Sequence, residues 1–309
     1  MSIAIIYPPR DVSDWVAALL AQDPDLEIEI WPEIHAPEQV EFVLCWNQPA
    51  GILRQFPNLR GISSFGAGVN HLLNDKSCPV NIPLARVVDP DLKQSMAEYV
   101  MLGVLEHFRR LADYRRQQEL GQWLVQKIPH LSTIRVGIMG YGKIGRYVAH
   151  KLADFGFKVH GWRRNRQHVD RLTVYAGEDE LDEFLKNTEI LVCLLPLTVD
   201  TENILNLQTF HQLPQQAYLI NAARGAHLVE ADLLAALESG QLCGALLDVF
   251  RDEPLPKHHP FWKHTKITIT PHIASVTNPE SAALQIVENY RRALRGEPLS
   301  NRVDRGRGY

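Results

Sequence analysis

Apolar and polar positions alternate along this chain in two successive blocks. In the first hundred residues the short apolar runs "IAIIY", "LEIEIW", "FVLCW" and "LRGISSF" are interleaved with turn residues and with the helical pattern "VSDWVAALLA". That alternation predicts a parallel sheet with helices on its faces. From Leu92 to Leu120 the pattern is long and helical, interrupted only by Gly103. One long helix joining two lobes is expected there, with the glycine costing it about 1 kcal/mol relative to alanine. The second block predicts strand "IRVGIMG", helix "IGRYVAHKLADF", strand "KVHGW", helix "EDELDEFLKN", strands "EILVCLL" and "AYLINAA", helix "EADLLAALESG", and strands "GALLDVF" and "KITITPH". In the first of these helices Ile144, Val148, Leu152 and Phe155 recur at helical spacing, which gives one apolar stripe to lie on a sheet. The last helix starts at Asn278-Pro279, an N-cap followed by proline at the first helical position, and stops at Gly296. Because it follows the completed second sheet, it is expected to pack back on the first lobe.

A chain of 309 residues exceeds what a single core comfortably serves, so two domains are expected. Their boundaries are placed at 1–97 with 280–309, and at 98–279. The composition, 45% hydrophobic and 22% charged, is that of a soluble globular protein, and a net charge of -4 gives no electrostatic reason to expect nucleic acid or an anionic membrane as partner. Small-molecule chemistry is the better expectation. Cys45, Cys78, Cys193 and Cys243 show no C-x-x-C spacing and three of them lie in apolar runs, as reduced core cysteines of a cytosolic protein do. The amino terminus has no basic leader pattern, and no apolar run approaches the roughly 18 residues that span a bilayer. The basic, glycine-containing tail "NRVDRGRGY" is expected to be loose.

Chemistry enters with "VGIMGYGKIG", in which Gly140, Gly142 and Gly145 form a G-x-G-x-x-G directly after a strand and before an amphipathic helix. Gly140 permits the tight turn, Gly142 lets backbone approach a pyrophosphate, and Gly145 lets helix meet strand. Lys143 and Ile144, at the start of that helix, belong to the same stretch. A dinucleotide site is expected. At the tip of the next strand a site for NAD normally carries an acid for the ribose 2'-hydroxyl. Here "VHGWRR" places Arg163 at that position, with Arg164 beside it and Arg166 two further on. An acid repels the 2'-phosphate of NADP and guanidinium groups bind it, so NADPH is expected in preference to NADH.

Three polar residues stand near strand ends in the second block: Arg224 in "INAARG", Glu253 in "DVFRDEP" and His272 in "TPHIAS". A histidine exchanges a proton near neutral pH, a carboxylate holds its imidazolium, and an arginine grips a carboxylate or polarises a carbonyl. Together they are a candidate hydride-transfer site. The histidines of "KHHPFWKH" have no acid or cysteine interleaved at ligand spacing, so a polar loop is expected there rather than a metal.

The glycine loop, "CLLPLTVDTENILN", "YLINAARGAHLVEADLLAALESGQLCGALLDVFRDEPLP" and "TITPHIAS" resemble the D-isomer-specific 2-hydroxyacid dehydrogenases over roughly half the chain. "WNQP", "SSFGAGVNHL" and the W-R-R pattern are most similar to the glyoxylate and hydroxypyruvate reductase branch. The resemblance implies an α/β fold of two lobes, a Rossmann dinucleotide-binding domain and a flavodoxin-like substrate domain, with the active site in the cleft. It implies His272 as acid-base, Glu253 as its partner, and Arg224 as the group binding the substrate's carboxylate and carbonyl. Gly66, Ala67 and Gly68 would offer backbone N–H groups to the same carboxylate. Apart from the resemblance, Trp46 and Trp262 are residues of a kind more often found in core or rim than against substrate, and either is a candidate to narrow the pocket. Asp248 and the Ala222 carbonyl would orient the nicotinamide, and Leu195, Pro196 and Thr201 would line the cofactor. Asn70 stands where many members have Asp, which bears on how that loop is held. The implied reaction is NADPH-dependent reduction of a small 2-oxo acid, glyoxylate or hydroxypyruvate, by a homodimer joined through "ELGQWLVQKIPHL". Two alternatives stay open: an NAD-linked dehydrogenase of a larger D-2-hydroxy acid, and a non-enzymatic dinucleotide sensor like the C-terminal-binding corepressors, which share the fold.

Overall fold

The computed structural model describes residues 1–8, 11–88, 90–165 and 171–306, with Pro90 described by its backbone alone. Arg166 and the last three residues of the tail lie outside the described residues. The chain divides into two compact units, Met1–Leu92 with Val276–Tyr309, and Lys93–Ser275.

In the first unit the chain forms β1 (Ser2–Ile6), α1 (Ser13–Gln22), β2 (Glu27–Ile30), β3 (Val40–Cys45), β4 (Gly61–Ser64), α2 (Asn70–Leu73) and β5 (Leu84–Ala85). The five strands are all parallel in the order β2-β1-β3-β4-β5, the flavodoxin-like arrangement. Period-2 alternation sets the layers: Ile3 and Ile5 enter the cluster with Trp15 and Leu19 of α1, while Ala4 and Ile6 enter the cluster on the other face.

The second unit contains α3 (Pro90–Phe108), which begins in the first unit, α4 (Leu111–Glu119), β6 (Arg135–Met139), α5 (Lys143–Phe155), β7 (Lys158–Arg163), β8 (Thr173–Ala176), α6 (Leu181–Lys186), β9 (Ile190–Cys193), α7 (Leu207–Gln212), β10 (Ala217–Asn221), α8 (Glu230–Glu238), β11 (Leu242–Leu247) and β12 (Ile267–Ile269). Its seven parallel strands run β12-β11-β10-β9-β6-β7-β8, a Rossmann order with the switch point between β6 and β9. The sheet is covered on both faces. Tyr218 and Ile220 of β10 join Val100 and Val104 of α3 and Val148 and Leu152 of α5, whereas Ala217 and Leu219 join Phe184 of α6, Phe210 of α7 and Leu233 of α8. Finally α9 (Pro279–Arg295) returns to the first unit, where Ala283, Ile286 and Tyr290 pack with α1. Asn278 caps it by accepting the Glu280 N–H at 3.0 Å, and Gly296 ends it in the left-handed region.

Three local expectations give way. The single helix from Leu92 to Leu120 is two, broken at Arg110, whose φ is 57°. The buried stripe of Met96, Val100 and Val104 ends with α3, and "LADYRRQQE" has no comparable apolar face to continue along the sheet. Gly103 is not a weak point in α3: a Cβ there would stand 2.5 Å from Leu246 Cδ2 and 3.1 Å from Ile220 Cδ1, so its absence is what lets the helix lie close on the sheet. Phe155 leaves the core stripe of α5 and is 51% exposed, its ring stacked 5.8 Å from that of Phe157. The apolar pattern also did not predict α2, β5, β8 or α7.

The second unit encloses three histidines. His107 stacks on Tyr218 at 4.2 Å, His160 pairs through Nε2 with Thr188 Oγ1 at 2.8 Å, and His227 is fully buried. Burial pushes each imidazole down to about 4. Unfolding returns them to about 6.5, so between these values the unfolded chain binds more protons and stability falls as pH falls. For His160 and His227 the loss approaches about 3 kcal/mol each by pH 4, at about 1.4 kcal/mol per pKa unit. Denaturant midpoints are therefore expected to be level above pH 7 and to decline steadily below about pH 6.5. Equal midpoints at pH 7 and pH 5 would contradict neutral burial.

Candidate active site

The glycine loop joins β6 to α5. Gly140 has φ 111°, and a Cβ on it would stand 2.6 Å from the Leu194 carbonyl carbon; a Cβ on Gly145 would strike the Gly140 carbonyl oxygen. Both positions thus exclude any side chain. Gly142, the N-cap of α5, differs: nothing lies within 4 Å of where its Cβ would be. That open space at a helix N-terminus fits the close approach of a pyrophosphate to backbone N–H groups. Lys143 is exposed and Ile144 half-buried in the first turn.

β7 ends at Arg163, in line with the glycine loop across the β6–β7 pair. Arg163 is half-buried, and Arg164 is exposed with its guanidinium 2.9 Å from Asp200 Oδ2. The Asp200 turn follows β9 and is folded on itself: Thr201 Oγ1 donates to the Pro196 carbonyl at 2.7 Å and accepts the Thr198 N–H at 2.8 Å. Leu195 is buried beneath it.

Beyond β10, β11 and β12 the three candidate chemical groups come together. His272 Nδ1 lies 2.7 Å from Glu253 Oε2, and the Phe250 N–H donates to Glu253 Oε1 at 2.9 Å. Both carboxylate oxygens are therefore held, and the carboxylate's direction is fixed. Burial raises the Glu253 carboxyl, but the bond and charge of His272, the Phe250 N–H and the Arg224 charge outweigh it and hold the group below its ordinary value. Burial lowers the Arg224 guanidinium from its ordinary value, and Glu253 draws it back upward. The Arg224 guanidinium donates to the Ala223 carbonyl at 2.6 Å. Gly225 follows at a place where a Cβ would run into the Phe250 carbonyl carbon, so the arginine turn is seated against the backbone that leads to Glu253.

Further supports in this region escaped the sequence reading. His272 has φ 57°, an uncommon value for a residue other than glycine. Its N–H donates to the Asp248 carbonyl at 2.9 Å, and the Asp248 carboxylate accepts the next two backbone N–H groups, Ile273 on Oδ1 and Ala274 on Oδ2, each at 2.8 Å. Thr270 Oγ1 donates to Asp248 Oδ1 at 2.6 Å, so it must accept from Tyr99 Oη, also at 2.6 Å. Asp248, assigned by resemblance to the nicotinamide, thus also anchors the His272 turn. Tyr99 lies 171 residues from Thr270 in the chain, and no local spacing signals that pair. Ala222 is buried just past β10.

The expected substrate loop lies in the first unit. Trp46 packs on His71 with ring centroids 4.7 Å apart, and a Cβ on Gly66 would touch the Trp46 ring at 3.4 Å. Ser64 Oγ donates to the Gly68 carbonyl at 2.7 Å, which shapes the turn through half-buried Ala67, and Asn70 opens α2. In the "KHHPFWKH" segment His259 bonds Glu230 at 3.2 Å, and among the described residues no group of three histidine, cysteine or acidic side chains is placed to hold a metal. Trp262 is 51% exposed there.

Comparison with known proteins places this geometry. Residues 101–274 match the family model for the D-isomer specific 2-hydroxyacid dehydrogenase NAD binding domain. The glyoxylate/hydroxypyruvate reductase A of Yersinia enterocolitica is 40% identical over 314 aligned positions that cover all of both chains. The crystal structure of a D-isomer specific 2-hydroxyacid dehydrogenase from Xanthobacter autotrophicus, in complex with NADPH and MES, matches with a TM-score of 0.92 at 39% identity over the full length of both. An NADPH-dependent glyoxylate/hydroxypyruvate reductase from Sinorhizobium meliloti, in complex with NADP and sulfate, matches equally at 34% identity over both whole chains. By sequence along its entire length and by fold, the chain belongs to the D-isomer-specific 2-hydroxyacid dehydrogenase family.

Proposed function

We propose that this chain reduces a small 2-oxo acid, glyoxylate or hydroxypyruvate, to the 2-hydroxy acid with NADPH, the D-isomer forming where the product is chiral. The observation that carries the reading is the assembly of His272, Glu253 and Arg224 beyond three adjacent strands of the sheet that also carries the glycine loop. The relatives named above, one of them bound to NADP, support the substrate class and the cofactor.

When bound, the nicotinamide supplies the hydride that goes to the carbonyl carbon. Arg224 binds the acid's carboxylate and polarises the carbonyl, stabilising the charge that develops on its oxygen. With Nδ1 bonded to Glu253, His272 passes its proton from Nε2 to that oxygen, and the Glu253 carboxylate stabilises the imidazolium before transfer. Asp248 and the Ala222 carbonyl orient the nicotinamide, Gly140, Gly142, Lys143, Ile144 and Gly145 hold the pyrophosphate side, and Leu195, Pro196 and Thr201 line the cofactor. Trp46 and the N–H groups of Gly66, Ala67 and Gly68 serve the acid. In this reading 1–97 with 280–309 forms the substrate domain and 98–279 the cofactor domain. The protein works in the cytoplasm, in keeping with its four free cysteines.

Glyoxylate or hydroxypyruvate added with NADPH should cause the nicotinamide absorbance to fall, and protein that binds NADPH without consuming it would favour the sensor alternative. Removing both Arg163 and Arg164 should weaken NADPH binding by about tenfold or more and leave NADH nearly unaffected. Arg164 must leave an exposed pair with Asp200 to do this, a small cost for a surface ion pair. Equal losses for both cofactors would reject the 2'-phosphate assignment.

Reduction consumes a proton and oxidation releases one, so kcat/KM for the 2-oxo acid should fall as pH rises from mildly acid to alkaline. Oxidation of the hydroxy acid should rise over the same range. In Glu253→Gln the carboxylate bonded to His272 Nδ1 is gone, and kcat for reduction should fall by about tenfold or more with NADPH binding kept. Unchanged turnover in that variant would remove Glu253 from the mechanism.

The protein acts as a homodimer in this reading. Trp123 is 95% exposed, Val125 89% and Leu124 57%, an apolar run that a second copy would cover, whereas Ile128 is already half-buried in its own chain. Light scattering should give twice the mass of the 35.1 kDa chain at micromolar concentration, and a stable monomer would refute the dimer.

A further inference from the structure

His227 takes no part in the chemistry described above, yet it is fully buried beside Arg224. Its Nδ1 lies 3.2 Å from the Arg224 backbone nitrogen and its Nε2 lies 3.3 Å from the Pro196 carbonyl oxygen. A neutral imidazole has one donor and one acceptor nitrogen. With the proton on Nε2, the ring donates to Pro196 and accepts the Arg224 N–H, satisfying both. With the proton on Nδ1, the ring donates to the Arg224 carbonyl at 3.1 Å, but the Arg224 N–H then faces another N–H and the Nε2 lone pair faces the Pro196 oxygen. The first tautomer makes two of these bonds against one and is the one the geometry favours, and burial keeps the ring neutral down to about pH 4.

The two ends of this bridge belong to different parts of the site. Pro196 opens the turn after β9, which Thr201 also holds through the same carbonyl. Arg224 follows β10, and its carbonyl accepts from Asn221 Nδ2 at 3.2 Å. The arginine's backbone is thus gripped at its N–H by the His227 ring and at its C=O by Asn221 Nδ2 and the His227 N–H; of the two side chains the histidine reaches across to the turn after β9, a segment that the Asn203 and Leu205 N–H groups also join to the Ala226 and His227 carbonyls. We propose that His227 is a positioning residue that sets the Arg224 backbone in register with the cofactor-lining turn at Pro196, and so aims the guanidinium at the carboxylate and carbonyl of the 2-oxo acid. The inference rests on the roles given above to Arg224 and Pro196.

Three variants separate the ends of the bridge. The amide oxygen of Asn stands near the place of Nδ1 and can accept the Arg224 N–H; the amide nitrogen of Gln stands near Nε2 and can donate to Pro196; Leu does neither. His227→Leu should lose about tenfold or more in kcat and raise KM for glyoxylate, since small misplacements of a binding group are costly in turnover, while NADPH binding followed by fluorescence stays near its wild-type value. His227→Asn and His227→Gln each keep one end of the bridge, so neither should recover wild-type kcat. If the leucine variant does not fold, the Asn and Gln variants alone decide, a loss of kcat in both supporting the proposal and wild-type turnover in either overturning it. Variants that lower the denaturation midpoint but keep wild-type kcat and KM per folded molecule would show a structural role only and overturn it. Arg224→Ala, run in parallel, tests the underlying reading: retained turnover there removes the role of Arg224 itself, whereas lost turnover there with a fully active His227→Leu defeats the inference alone.

Discussion

A buried carboxylate organises the chemical end of the second unit. Asp248 is 1% exposed and its two oxygens accept from Thr270 Oγ1 and from the N–H groups of Ile273 and Ala274, while its own carbonyl accepts the His272 N–H. An ionised carboxylate out of water is tolerable only with such partners. In satisfying itself it draws the chain after β12 into a turn around its own side chain. Tyr99 extends the network into α3, so the position of His272 is tied to a helix packed on the sheet rather than to a loop alone.

Parallel topology does the rest. β10, β11 and β12 are adjacent and run in the same direction, so the segments that follow them emerge side by side, and Arg224, Glu253 and His272 are each only a few residues beyond their strands. β6, β7 and β9 present the glycine loop, Arg163 and the Pro196 turn at the same sheet edge. The strand order therefore brings together groups contributed by more than a hundred residues of chain. His227 and the seating of Gly225 on Phe250 join neighbouring segments across that edge.

What was legible in the sequence was local. The glycine loop, the capped start of α9 and the two-residue alternation in the strands each depend on neighbours in the chain, and they were readable at once. Arg224, Glu253 and His272 stood out through short motifs that resemble a family, and the structure brings them together. The break at Arg110 was hidden because a charged residue in the left-handed region looks like any other polar position in a helical run. Tyr99, Thr270 and the bridging part of His227 were hidden for a different reason. Their meaning lies in contacts made across the fold, and a tyrosine or histidine in an apolar segment gives no sign of which distant atom it meets.

The left-handed turn at His272 has a consequence for how sequences of this fold can drift. A histidine at φ 57° sits where glycine rests freely and asparagine rests more easily, at a cost on the order of 1 kcal/mol or more for other residues. A copy of this chain released from catalysis would gain backbone ease from glycine at 272 but leave Glu253 Oε2 without its partner, so positions 272 and 253 are expected to drift together, glycine at one with a neutral side chain at the other.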